Sequence, residues 1–400
     1  MLKGKKILLG ITGGIAAYKS AELTREFLKA GAEVKVVMTA NAGRFITPLT
    51  MQALSGNPVY LDMFALTEGS GIGHISLADY PDVIVIAPAT ANILGKVAAG
   101  LADDLLSTTV MASKKPVLFC PAMNVNMYQN EIVRHNMAAL SGRGYQILEA
   151  SEGEMACGAE GPGRLPPLGD ICEAVESILT EKDLAGENIL VTAGPTQEPL
   201  DPVRFISNHS SGKMGYAVAV MAKRRGANVT LISGPSSLPR PRGVKFVSVG
   251  STVEMRDAVM DCLKEATVII KAAAVADYRP ARISISKIKK KEGTFTLELE
   301  RNPDIIAEVG RVKGNRILIG FAMETENLTE NAHAKLISKN MDLIVANDLS
   351  SPEAGFQADT NIVKLIDREG RIESLPLLDK KEVADRILSR INPLRARAGK

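Results

Sequence analysis

The feature that most constrains this 400-residue chain is a repeated unit: a short apolar run that stops at a breaker and gives way to small polar residues. Pro116-Val-Leu-Phe-Cys120 runs in this way into Pro121-Ala-Met-Asn-Val-Asn-Met-Tyr128, and Asp82-Val-Ile-Val-Ile-Ala-Pro88 runs into Ala89-Thr-Ala-Asn92. Runs of this length read as buried strands delivering loops at their carboxyl ends. Open α/β sheets bind ligands at those ends. In the loop after Cys120, two asparagines beside Met and Tyr side chains would suit a flat heterocycle or a small carboxylate substrate. The same residues also suit an ordinary β-to-α connection with Asn as helix cap.

Taken in order, Lys5 to Gly10 reads as the first strand, Ile11-Thr-Gly-Gly14 as a tight turn, Ile15 to Ala30 as a helix and Glu33 to Met38 as the next strand. This βαβ opening offers a phosphate a glycine turn and a helix N-terminus. It lacks the GxGxxG spacing and the Lys-Ser/Thr of a P-loop, so a mononucleotide is favoured over a dinucleotide. An NAD(P)-dependent dehydrogenase would want GxGxxG and an acidic residue ending strand two, and neither is present. Gly69-Ser-Gly-Ile-Gly-His74 sets a histidine in flexible backbone near these strand ends, a candidate acid or base. After a strand at Gln146 to Leu148, the segment Met155 to Arg164 is too irregular for helix or strand and reads as a mobile flap carrying Cys157. A helix from Asp170 to Thr180 ends this half.

At Asn188-Ile-Leu-Val-Thr-Ala-Gly194 the layout begins again, which makes Glu181 to Glu187 the expected linker. Length alone allows two or three domains. A long loop, Pro195 to Ser211, is expected before a helix at Gly212 to Arg225 and strands at Asn228 to Ser233 and Val268 to Lys271. The last of these empties into Ala272-Ala-Ala-Val-Ala-Asp-Tyr278. Ser284 to Glu292 carries Lys287, Lys289, Lys290 and Lys291; such a run is usually a solvated face, but beside a strand-end loop and the strand-like Thr294 to Leu299 it competes as a flap over polyphosphate. Strands at Arg316 to Phe321 and Asp342 to Ala346 enclose a helix, Glu326 to Lys339, with Lys335 and Lys339 on one face. A hairpin from Asn361 to Leu375 and a helix from Asp379 to Ile391 complete the chain, leaving Arg395 to Lys400 as a solvated tail.

Composition excludes more than it selects. A net charge of +3 gives no field for nucleic acid or an anionic membrane, so a phosphate must be held locally. Cys120, Cys157, Cys172 and Cys262 lack metal-site spacing and suggest neither zinc nor a disulfide framework, as expected of a cytoplasmic protein. The basic and apolar opening imitates a signal peptide, but Gly10, Gly13 and Gly14 interrupt it.

Several motifs in order carry a resemblance over nearly the whole chain. Gly13-Gly14, Ala87-Pro-Ala-Thr-Ala-Asn92, Ala102-Asp-Asp104, Pro121-Ala-Met-Asn124 and the Cys157 segment resemble the flavin-dependent cysteine decarboxylases, with Tyr128 where that family commonly has Trp. Thr192-Ala-Gly-Pro-Thr196, Ile206 to Gly215, Ala273-Ala-Val-Ala-Asp277, Lys287-Ile-Lys-Lys290, Asn302-Pro-Asp304, Gly320-Phe-Ala322 and Ala346-Asn-Asp348 resemble phosphopantothenate-cysteine ligase. Together they resemble the bifunctional coenzyme A biosynthesis enzymes that fuse phosphopantothenoylcysteine decarboxylase to that ligase.

The resemblance implies two doubly wound, Rossmann-like α/β domains: a flavodoxin-like decarboxylase domain at 1–180 and a ligase domain at 188–400. On the decarboxylase side it implies FMN held by Gly13, Gly14, Thr39, Thr90 and Asn92, with His74 essential, Asn124 binding substrate and Cys157 acting as the acid. Oxidising the substrate thiol first gives the carbanion of decarboxylation an electron sink, which is why a flavin is used. On the ligase side it implies CTP bound by Ala273, Asp277, Lys287, Asn302, Pro303, Asp304, Phe321, Lys335 and Lys339, with Mg2+ on Asp277 and Asn208 handling the acyl-cytidylate. Substrates would be 4'-phosphopantothenate and cysteine. The assembly would be a homo-oligomer, a dodecamer if trimeric decarboxylase halves meet dimeric ligase halves. A flavin-binding regulatory protein of the same fold would have lost His74 or Cys157, and both are present.

Overall fold

The computed structural model describes residues 2–64, 73–154, 158, 160–289, 294–324, 328–348 and 357–398. The chain forms two compact units, Met1–Thr180 and Glu181–Lys400.

The first unit is built on six strands, β1 (Lys6–Ile11), β2 (Glu33–Met38), β3 (Val59–Tyr60), β4 (Val83–Ala89), β5 (Val117–Pro121) and β6 (Gln146–Ile147). They form one parallel sheet in the order β3-β2-β1-β4-β5-β6. Without the two-residue β3 the remaining order is that of flavodoxin. Side chains of β1 alternate between two cores: Ile7, Leu9 and Ile11 enter one cluster and Leu8 the other. Both faces are thus apolar, which explains why the strands read as unbroken runs. β1 leaves the sheet through a short 3-10 turn, Ile15–Tyr18, before the α-helix Lys19–Lys29, where one helix was expected.

The expected irregular flap is different in part. β7 (Ser151–Glu154) and β8 (Glu160–Arg164) pair as an antiparallel ribbon, with Gly153, Gly161 and Gly163 at positive φ of 137, 146 and 144, a region that favours glycine. Glycine-rich composition hid this ribbon, because glycine carries no β-propensity signal. Cys157 itself lies outside the described residues.

The second unit contains β9 (Asn188–Ala193), β10 (Gln197–Pro199), β11 (Phe205–Ser207), β12 (Asn228–Ser233), β13 (Lys245–Ser248), β14 (Val268–Lys271), β15 (Tyr278–Pro280), β16 (Leu299–Arg301), β17 (Ile317–Glu324), β18 (Leu343–Asp348), β19 (Thr360–Asn361), β20 (Val363–Asp367), β21 (Ile372–Ser374) and β22 (Leu378–Asp379). Its main sheet runs β13-β12-β9-β14-β17-β18-β20-β21, parallel up to β18 and closed by an antiparallel hairpin. Ile189 and Val191 of β9 face one core and Leu190 the other, so this sheet too is covered on both sides.

Four expectations change here. The long loop 195–211 contains the hairpin β10–β11, whose three-residue strands are too short for a period to register. Of the strand-like stretch Thr294 to Leu299, only Leu299 enters a strand, Leu299–Arg301, which pairs with Tyr278–Pro280. The chain end is not a solvated tail throughout: Ile391–Ala398 is helical, and Arg395 bonds Glu187 at 2.6 Å. Finally, 181–187 is not a free connector. Leu184 is fully buried in the second core, and Asp183 bonds Arg225 at 2.5 Å.

Candidate active sites

Both units pin the same place by the same device. In the first, Thr12 at the end of β1 donates its hydroxyl to the Pro88 carbonyl at 2.7 Å and accepts from the Thr90 amide at 3.1 Å, tying the β1 and β4 ends together. In the second, Thr192 accepts from the Ala273 amide at 3.2 Å and Thr196 from the Ala276 amide at 3.0 Å, tying the β9 and β14 ends together. These are the switch points where the strand order reverses, and each opens into a cavity.

The first cavity, of about 1200 Å3, is lined by the turn Thr12 to Ala16, by Thr39 and Asn41, by Thr90 to Ile93, by Ala122 to Asn124, and by Glu154, Gly163 and Arg164 of the ribbon. Gly13 packs so closely that an added Cβ would stand 2.4 Å from the Asn41 Cβ and 2.9 Å from its carbonyl oxygen. Asn124 caps the helix Val125–Gln129 by accepting from the Asn126 amide at 2.9 Å, and the Met123 amide bonds the Gly163 carbonyl at 2.9 Å. The loop after β5 is therefore held at one end by its own cap and at the other by the ribbon.

Gly13, Gly14, Thr39, Thr90, Asn92 and Asn124 all lie on this lining. His74 does not: it sits in the first turn of the helix Gly73–Asp79, its Nδ1 buried and unpartnered among the described residues. Tyr128 belongs to the core, donating to Glu149 and accepting from the Ala150 amide at 3.2 Å. Burial, then the Glu149 bond, pushes its pKa up to about 12, so it stays a neutral donor.

Lys96 and Asp104 also line the cavity, and no role was read for them in the sequence. Asp104 caps the helix Leu105–Ala112 through Ser107 and pairs with Lys96 at 2.8 Å. Burial works against its charge, but the Lys96 and Ser107 bonds outweigh that and hold the carboxyl below its ordinary value. The available signal was Asp-Asp before an apolar helix, a cap pattern.

The second cavity, of about 610 Å3, is lined by Ser210 to Gly215, Lys271 to Tyr278, Arg301 to Ile306, Phe321 to Met323, Lys335, Lys339, Asn347, Asn361 and Lys380. Its floor approaches the sheet closely: a Cβ on Gly215 would stand 2.5 Å from that of Ala193. A buried network sets the loop after β14, with Thr196 bonded to Thr252 at 3.0 Å and Thr252 donating to Glu198 at 2.6 Å. Asp304 caps the helix Ile305–Val312 by accepting from the Ala307 amide at 3.1 Å and pairs with Lys339 at 2.7 Å. Burial opposes its ionisation, but Lys339 and the cap bond hold its pKa below the ordinary value.

Ala273, Asp277, Asn302, Pro303, Asp304, Phe321, Lys335 and Lys339, spread over four segments of sequence, meet on this one lining. Asn208 is exposed two residues before it and donates to the Ala274 carbonyl at 3.1 Å. Lys287 is exposed and off the lining, on a segment anchored by the Ile288 amide to Asp201 at 3.0 Å. Lys213, Lys271 and Lys380 are lining cations not singled out from sequence. Lys213 bonds Asp359 at 2.7 Å, and Lys380 bonds the Ala358 carbonyl. Lys271 had no signal, being the last residue of an apolar strand.

Fold and site define the class, a two-part α/β flavoprotein: the Flavoprotein family matches residues 1–180, and the DNA/pantothenate metabolism flavoprotein C-terminal domain matches residues 184–394. The chain is 47% identical over 403 residues to the coenzyme A biosynthesis bifunctional protein CoaBC of Bacillus subtilis, covering 100% of this chain and 99% of that one. It is 48% identical over 392 residues to that of Escherichia coli, covering 97% and 96%. The chain belongs to the family of coenzyme A biosynthesis bifunctional proteins, in agreement with the resemblance its motifs carry. Among solved structures, the C-terminal domain of a CoaBC protein aligns with 46% identity and a TM-score of 0.46, over 53% of this chain and 98% of that one. A mutant PPC decarboxylase complexed with pantothenoylaminoethenethiol aligns with 30% identity and a TM-score of 0.40, over 43% and 97%. Among the described residues no helix is long and apolar enough to cross a membrane.

Proposed function

We propose that the unit 181–400 ligates cysteine to 4'-phosphopantothenate using CTP, through an acyl-cytidylate, and that the unit 1–180 decarboxylates the product with FMN to give 4'-phosphopantetheine. The observation that carries this reading is the convergence of Ala273, Asp277, Asn302 to Asp304, Phe321, Lys335 and Lys339 on one cavity at a sheet switch point. Membership of the family supports it over the whole length.

The residues present fit the groups required. The first cavity joins apolar Ile15, Ile93, Met123 and Met127 to polar Thr39, Asn41 and Asn92, which suits a flat ring with a phosphate tail. Gly13, Gly14, Thr39, Thr90 and Asn92 would hold FMN there. Bound, it supplies two-electron oxidation of the substrate thiol and its reversal. Asn124, fixed by its helix cap, orients the carboxylate that leaves as CO2, while in this reading Cys157 returns the final proton and His74 serves the oxidation.

In the second cavity, Asn302 has a buried Oδ1 with no partner among the described residues, an acceptor that a ligand donor would satisfy. Lys335 and Lys339 receive phosphate oxygens, and Lys287 joins them from its lysine-rich segment. No group of three or more metal-binding side chains occurs among the described residues, so Mg2+ would be held by the nucleotide phosphates with Asp277 as a single protein carboxylate. Asn208 steadies the acyl carbonyl as cysteine displaces CMP. A cytoplasmic homo-oligomer, with trimeric first units and dimeric second units, belongs to the same proposal.

The test supplies 4'-phosphopantothenate, cysteine and Mg2+ with each nucleoside triphosphate in turn and follows pyrophosphate and CO2. Both should appear with CTP, and CO2 should not appear when cysteine is left out. Pyrophosphate released only with ATP would overturn the nucleotide assignment, and CO2 from flavin-free protein would overturn the decarboxylase half.

A further inference from the structure

Lys271 ends β14, the strand beside the switch point, and its side chain lines the second cavity. The strands on either side put uncharged residues against it, Thr192 on β9 and Gly320 on β17. The charges that face it are Asp304 on the cap of the following helix, Asp277 on the strand-end loop, and Lys335 and Lys339. Asp304 is already engaged by Lys339 at 2.7 Å and by the Ala307 amide at 3.1 Å. Among the described residues no hydrogen bond or ion pair reaches the Lys271 ammonium. A partly buried cation with three donors and no acceptor is held at a cost that anionic oxygens would remove.

We propose that Lys271 is a ligand-binding residue of this cavity, giving its ammonium to phosphate oxygens of the bound nucleotide alongside Lys335 and Lys339. This rests on reading the cavity as the nucleotide site. It adds a residue that the motifs do not assign. A consequence follows for protons. Burial first, then Lys339 and Lys335, lower the Lys271 pKa to about 8, against the pull of Asp304 and Asp277. A triphosphate favours the charged form and raises that pKa again. Well below pH 8 the lysine is already charged and binding takes up no proton. Above it, binding draws one from solvent, and affinity falls as pH rises.

The experiment titrates CTP without metal into the intact flavin-loaded protein by calorimetry, at about pH 7 and about pH 8.5, in two buffers of different ionisation enthalpy. Inorganic tripolyphosphate and 4'-phosphopantothenate are titrated separately. Wild type should take up protons with CTP and tripolyphosphate at the higher pH only. Lys271→Arg, charged at both values, should keep CTP affinity and lose the uptake. Lys271→Met should weaken CTP about 10-fold at the lower pH and also lose it. Retained flavin colour and an unchanged melting temperature establish that each variant is folded; if the Met variant fails that test, the Arg variant and the wild-type pH dependence decide. Unchanged affinity and uptake in Lys271→Met, uptake persisting in Lys271→Arg, or weakening confined to 4'-phosphopantothenate each overturns the assignment. Wild type binding neither CTP nor tripolyphosphate would sink the nucleotide reading itself, a result distinct from any failure of the variants.

Discussion

At the residue scale, the two sites depend on a few contacts that a single atom would break. Gly13 is the sharpest case, because the Cβ of Gly13→Ala would lie 2.8 Å and 2.9 Å from the backbone C and O of Asn41. Backbone cannot rotate away as a side-chain tip can, so this substitution should cost about 1–3 kcal/mol. It should also release flavin; urea unfolding and absorbance of the purified protein check both. Asp104→Ala should cost about 1 kcal/mol at neutral pH, from loss of the cap to Ser107 and the pair with Lys96. The sign of its pH dependence follows from the lowered carboxyl pKa. The stabilisation is present above the ordinary carboxylate value and disappears as pH falls through the folded one. Melts of variant and wild type should therefore converge on strong acidification; a constant gap would count against the ion pair. Asn208→Asp replaces the amide that donates to Ala274 with a negative carboxylate. It should let 4'-phosphopantothenoyl-CMP form but hinder its transfer to cysteine, so mass analysis of quenched reactions should find that intermediate accumulating. These residues were visible within motifs, whereas Lys96, Lys271 and Lys380 were not: a lysine on a helix or strand reads as surface until its neighbours in space are known.

At the scale of elements, the segment 181–187 shows why boundaries are the hardest thing to read. Its charged residues suggested a linker, yet Leu184 is buried and Arg225 joins Asp183 at 2.5 Å to Asp385 at 3.0 Å. Burying one leucine contributes about 1.5–3 kcal/mol. The ion pairs add less, since the Asp385 side chain remains 44% exposed. A fragment covering 181–400 should therefore be more stable to urea than one covering 188–400, by at least about 1.5 kcal/mol. Equal midpoints would show that the segment is a spectator. The ribbon β7–β8 is the converse case. Its glycines concealed a regular element, and its pairing places Gly163 against Met123, so it contributes directly to the first cavity.

At the scale of the whole molecule, each unit owns two cores on the two faces of its own sheet, and each cavity is lined from within one unit. Residues 1–180 expressed alone should fold, emerge yellow and release CO2 from 4'-phosphopantothenoylcysteine. Colourless or insoluble material would argue that the first unit cannot be completed without the second. The repetition of strand order in both units, with a Thr hydroxyl tying the switch point in each, accounts for two catalytic units of the same general plan in one chain.

The sequence by itself determined the class of fold and most of the strands. A strand buried on both faces must be apolar throughout, and that signature is local. It also determined the lineage, because motifs such as Pro121-Ala-Met-Asn124 and Asn302-Pro-Asp304 are contiguous. Tertiary structure alone decided that Lys271 joins Asp304 and Lys335 on one lining, and that His74 and Lys287 lie off the linings. It also decided that Leu184 belongs to a core and that Arg395 has a partner. Cavity membership and ion pairing depend on distance through space, and residues separated by tens of positions carry no mark of it in their order along the chain.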